Sequence, residues 1–173
     1  MIFLFLTTAL LSYGCGQNSE TSGSNQIKQA NIVGGTEVDP AKTDTSFIVS
    51  IGGGCAGSII SAKWILTAAH CSSIFGRAIT GGSVDLNSKT RIKLEIKKSY
   101  IHPKNVASIY SYDFALLELK TPIDFEATGL RAITIVDPEL VKTGDIDEVV
   151  NSTVLGWGTT SESGSISTFM RMV

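Results

Sequence analysis

Residues 64–71 read Trp64-Ile65-Leu66-Thr67-Ala68-Ala69-His70-Cys71, an apolar β-forming run that ends in a histidine and then a cysteine. The run predicts a buried strand, with the imidazole held at the edge of a core. A cysteine beside the histidine lets a disulfide fix that edge. A free surface histidine needs neither device.

The surrounding sequence repeats the same grammar of short strands and glycine turns. Residues 47–51, Phe-Ile-Val-Ser-Ile, form a strand candidate ended by Gly52-Gly53-Gly54. Residues 58–61 and 64–67 predict a hairpin around Ala62-Lys63, and Ile79-Thr80 stops at Gly81-Gly82. From Arg91 to Lys97 charged and apolar residues alternate, which predicts one half-buried strand with a polar outer face. Residues 113–119 form a more fully buried strand, and residues 148–156 a further one. No long helical period follows the N-terminal segment. Seventeen glycines against four prolines fit many tight turns. The fold class is all-β, a barrel or sandwich.

A chain of 173 residues, 43% apolar and 17% charged, can bury an ordinary single-domain core. A net charge of −2 with no basic run points away from nucleic acid. Ile2 to Leu11 is apolar but too short to span a bilayer, and small residues follow it. Residues 1–15 are therefore read as an export signal. Its Leu-Ser-Tyr-Gly-Cys ending resembles a bacterial lipoprotein signal, in which Cys15 carries lipid and tethers the chain to the cell envelope; plain secretion is the other reading. Residues 16–31 are polar and read as a flexible leader or propeptide. With Cys15 lipidated or removed, Cys55 and Cys71 remain as a pair that an oxidising compartment would bridge. Spacing and only two histidines set zinc aside, and no cofactor is indicated.

Five separated motifs resemble, in order, the trypsin/chymotrypsin-like serine proteases. They are Ile32-Val33-Gly34-Gly35, Cys55-Ala56-Gly57-Ser58-Ile59-Ile60, Leu66-Thr67-Ala68-Ala69-His70-Cys71, the 113–119 segment Asp-Phe-Ala-Leu-Leu-Glu-Leu, and Gly156-Trp157-Gly158. The resemblance covers residues 32–173. It implies a Greek-key β-barrel fold of two barrels and peptide-bond hydrolysis by a Ser-His-Asp mechanism on protein or peptide substrates. A serine hydroxyl needs a base whose pKa lies near neutrality, and that base needs a carboxylate to fix its tautomer. His70 fits the base and Asp113 the carboxylate. His102, in Tyr100-Ile101-His102-Pro103, reads as an ordinary surface or turn residue. Ile32 would become the activated N-terminus, its ammonium folding inward after cleavage; Asn31 departs from the Lys or Arg that a trypsin-like activator cuts after.

The family's nucleophile lies in a Gly-Asp-Ser-Gly-Gly segment, and the sequence contains none: Gly144-Asp145 runs into Ile146. Gly82-Ser83 and Gly164-Ser165 match no nucleophile position. The expectation is a complete first barrel and a second barrel only partly present. The serine, oxyanion hole and specificity pocket would be missing, and the chain alone would be inactive. Val149, Val154, Leu155 and Phe169 would lack a full core around them. The alternative is a non-catalytic exported homologue that keeps the barrel as a binding or surface scaffold.

Overall fold

The computed structural model describes residues 35–136, 139, 153–160 and 167–173. The segments expected to be an export signal (1–15, with Cys15) and a leader (16–31) lie outside the described residues, as do Ile32 and Val149.

Ten strands are described: β1 (Thr36–Glu37), β2 (Ile48–Ile51), β3 (Cys55–Ser61), β4 (Trp64–Thr67), β5 (Ile79–Gly81), β6 (Ile92–Leu94), β7 (Ile96–Ile101), β8 (Ala115–Leu119), β9 (Leu155–Gly156) and β10 (Arg171–Met172). Seven of them form one antiparallel sheet in the order β6-β5-β2-β3-β4-β8-β7. Within it β5 returns to lie beside β2 after the β2-β3-β4 meander, which is Greek-key order. The sheet begins with β6 and ends with β7, and only Glu95 separates these two in the chain. The sheet therefore curls until its ends meet at that residue, and the fold is the expected β-barrel. Residues 91–97 are not one strand. They bend at Glu95, whose carbonyl accepts the Lys120 N–H at 2.9 Å while its carboxylate pairs with the Lys120 ammonium at 2.8 Å. The bend is a barrel corner: β6 serves β5 and β7 serves β8.

The core follows from alternation. Val49, Ile51, Ile59, Ile65 and Leu117 are fully buried inside the barrel, each stabilising it by roughly 1.5–3 kcal/mol over the exposed side chain. Gly57 is required there: a Cβ would stand 2.8 Å from Ile65 Cγ2 and 3.1 Å from the Leu66 carbonyl oxygen. After β2 the chain reverses through Gly52 and Gly53, both at positive φ. After β8 a single helical turn, α1 (Phe125–Thr128), is capped by Asp124, which accepts the N–H groups of Glu126 and Ala127, and closed by left-handed Gly129. Leu130 then drops into the barrel core.

β2 reads as a continuous apolar run because it is buried on both sides. Ile48 leaves the barrel core and packs with Val38 and Met170 in a second cluster bordered by Phe47, Val84, Leu155, Trp157 and Met172. There β1, β10 and β9 form a small antiparallel sheet. It is tied to the first barrel by the Trp157 indole N–H on the Val84 carbonyl at 2.7 Å, and by the Met170 N–H on the same carbonyl at 2.8 Å. Of the apolar residues expected to lack a full core, Val154 and Phe169 are exposed, at 58% and 44%. Leu155 is half-buried against the second cluster. An open groove of about 480 Å³ runs between Val154, Leu155 and Ile133 on one side and Phe47 and Leu66 on the other.

Candidate active site

The sheet register explains how two residues 43 apart in sequence meet. β4 and β8 are antiparallel neighbours, with Thr67 opposite Ala115. The chain leaving β4 and the chain entering β8 are therefore side by side, and His70 and Asp113 lie a few residues beyond that pair. His70 is not at a strand end as expected. It sits on a turn of 3-10 helix, Ala69–Ile74, that starts after the extended residue Ala68. The tighter helical turn follows because the strand pairing has ended and Cys71 must reach back to the core.

Two links fix that turn. The Thr67 hydroxyl donates to the Ala56 carbonyl at 2.8 Å, pinning the end of β4 to β3. Cys55 and Cys71 form a disulfide, with Cα atoms 6.3 Å apart, joining the turn to the start of β3. Cys71 is buried, so the helix that carries His70 is anchored on its inner side.

Asp113 meets His70 twice. The His70 backbone N–H donates to Oδ1 at 2.8 Å, and Nδ1 lies 2.6 Å from Oδ2. A carboxylate accepts only, so Nδ1 carries the proton and the Nε2 lone pair is left facing outward. Asp113 is the sheltered member, with its side chain 18% exposed against 47% for His70. Burial pushes the Asp113 carboxyl up, but the hydrogen bonds from the His70 ring and backbone, the imidazole's charge and the Ala69 N–H together hold it below the ordinary aspartate value. A carboxylate that stays ionised beside an open imidazole is what a general base needs. Among the described residues no hydroxyl hydrogen-bonds His70 Nε2; Ser83 instead accepts the Asp85 N–H at 3.1 Å.

Several neighbours carry no signal in the sequence. The Tyr110 ring stands edge-on to His70, centroids 5.4 Å apart. Tyr110 and Tyr112 both adopt left-handed backbone, φ 51° and 50°, where glycine or asparagine would have signalled it. His102 does lie in a turn, yet it is half-buried and its ring contacts Tyr112 and Phe114. Donor atoms of Cys55, His70 and Cys71 come within 4.8 Å of one another. Both sulfurs are consumed by the disulfide, so they offer no thiolate to a metal.

The family model described as Trypsin matches residues 32–173. The chain is 29% identical over 187 residues to Trypsin 5G1 of Aedes aegypti, covering 98% of this chain and 66% of that protein. It is 31% identical over 126 residues to Serine proteinase stubble of Drosophila melanogaster, covering 69% of this chain and 15% of that protein. It is 32% identical over 129 residues to U21-ctenitoxin-Pn1a of Phoneutria nigriventer, covering 69% of this chain and 50% of that protein. The chain thus spans at most 66% of these relatives.

Proposed function

The chain belongs to the trypsin family, and from that premise we propose that His70 and Asp113 are the general base and orienting carboxylate of a serine endopeptidase acting on protein or peptide chains. The observation that carries this reading is the double hydrogen bond from His70 to Asp113, at 2.8 and 2.6 Å, which fixes both the ring and its tautomer. With Nδ1–H held by the carboxylate, Nε2 is free to take a proton from a serine hydroxyl and return it to the leaving amine. Asp113 stabilises the imidazolium formed in between.

The 173 residues contain no Gly-Asp-Ser-Gly-Gly segment. We propose that this polypeptide by itself hydrolyses no peptide bond, because base and carboxylate without a serine keep almost none of a triad's rate; in one serine protease removing the serine alone costs about 10⁶ in rate. Export, with lipid on Cys15 or by plain secretion, and activation at Ile32 belong to the same proposal. The disulfide supports the exported half, since such bonds persist in oxidising compartments.

The test is a chimera in which the part of Trypsin 5G1 beyond the matched region is fused after Val173. The fused protein should react with a fluorophosphonate probe and cleave peptides, and its H70A and D113N versions should lose most of that activity. The unfused chain should do neither. A chimera whose activity is indifferent to H70A, or an unfused chain that labels at a serine, would overturn the reading.

A further inference from the structure

Asp113 can orient His70 only if its own carboxylate is aimed, and the aim comes from a segment with a strained backbone. Tyr112, the residue before it, has φ 50°, a left-handed conformation that a tyrosine does not choose unaided. Neither Tyr112, 50% exposed, nor Phe114, 45% exposed, is part of the buried core. Core packing therefore does not account for the conformation.

His102 does. Its ring stacks on Tyr112, centroids 4.9 Å apart and planes within 10°, and it packs at a tilt on Phe114 at 4.5 Å. One imidazole thus grips the side chains on both sides of Asp113. The backbone is tied in the same place. The Phe114 N–H donates to the Tyr112 carbonyl at 2.9 Å, a three-residue turn with Asp113 at its apex. The His102 N–H donates to the Phe114 carbonyl at 3.2 Å. The Asn105 amide donates to the carbonyls of Ser111, at 3.1 Å, and Tyr112, at 3.3 Å. His102 Nδ1 in turn accepts the Lys104 N–H at 3.3 Å, which orients the ring.

We infer that the ring stack of His102 with Tyr112 and Phe114 is a positioning device, completed by Asn105, that aims the Asp113 carboxylate at His70. The inference rests on the proposed roles of His70 and Asp113 and adds four positioning residues to them, His102, Tyr112, Phe114 and Asn105. None of the four touches the reacting atoms. They act by holding the apex of a strained turn, so that Oδ1 and Oδ2 reach the backbone and ring N–H groups of His70 together.

The experiment is proton and nitrogen NMR of the full 173-residue chain, following the low-field signal of the hydrogen-bonded His70 Nδ1–H. D113N is the control for the roles themselves, and must abolish the signal. If the parent shows no such signal, or D113N keeps it, the proposed roles fail and this inference falls with them. The decisive variant is Y112G. Glycine adopts positive φ freely, so the strain is relieved while the stack is lost. The positioning account expects the signal to move toward higher field and to exchange faster with water. H102A should do the same, and H102F, which keeps a stacking ring, should restore the parent signal. A folded Y112G or H102A chain with the parent's signal position and exchange rate, beside a D113N that loses it, overturns the inference and leaves the dyad standing.

Discussion

Replacing both Cys55 and Cys71 by alanine should destabilise the barrel by about 3 kcal/mol. The bridge spans 16 residues, and the chain-entropy relation for a loop of that size gives about 3 kcal/mol at 25 °C through the unfolded state. Cys71 is buried, so truncation there also removes packing against Ala69 and Phe75 in the core. The loss should appear in urea titrations followed by tryptophan fluorescence, since Trp64 lies on β4. With a slope of about 1–3 kcal/mol per molar for a small domain, the midpoint should fall by roughly 1–3 M. Reducing the parent's disulfide should reproduce most of the shift, which separates the cross-link from the lost sulfur packing. A fall of less than about 1 kcal/mol in both experiments would refute the argument that the bridge, rather than the strand pairing beside it, anchors the turn carrying His70.

Two further perturbations follow from the same structure. Gly57→Ala places a methyl 2.8 Å from Ile65 Cγ2 with the Leu66 carbonyl close behind, and should cost about 1–3 kcal/mol in the same titration; a neutral effect would mean that the barrel wall yields there. Asp113 is held below the ordinary aspartate value, so its share of stability is whole above about pH 4 and is lost as pH falls through the lowered folded value. The parent should therefore lose stability on acidification more steeply than D113N, with the two curves converging at the acid end; parallel curves from pH 6 to 2 would contradict the coupling.

Much of the barrel was legible because its signals are local. Ala62-Lys63 between two apolar runs marks the β3–β4 hairpin, and Gly52 and Gly53 mark the turn after β2. The break at Glu95 was not legible: the alternation from Arg91 to Lys97 is uninterrupted, and only pairing with β5 on one side and β8 on the other forces the bend. The double burial of β2 likewise depends on Val38 and Met170, remote in sequence. At the site, the His70–Cys71 pair and the apolar run after Asp113 pointed to the two residues that meet. The helical turn under His70, the left-handed tyrosines and the grip of His102 arise from contacts between β4, β8 and the segment entering β8. Neither Tyr110 nor Tyr112 is a residue type that announces positive φ, so nothing in their letters distinguished them.

What His70 can do depends on where one proton sits. Two-bond proton–nitrogen correlation spectra of the neutral His70 ring read that directly. If Asp113 orients the ring as the 2.6 Å contact requires, the proton resides on Nδ1 and Nε2 shows the shift of an unprotonated nitrogen. A His70 that carries its proton on Nε2 would contradict this, because the ring's lone pair would then lie on Nδ1, against Asp113, and not on the nitrogen left to activate a serine.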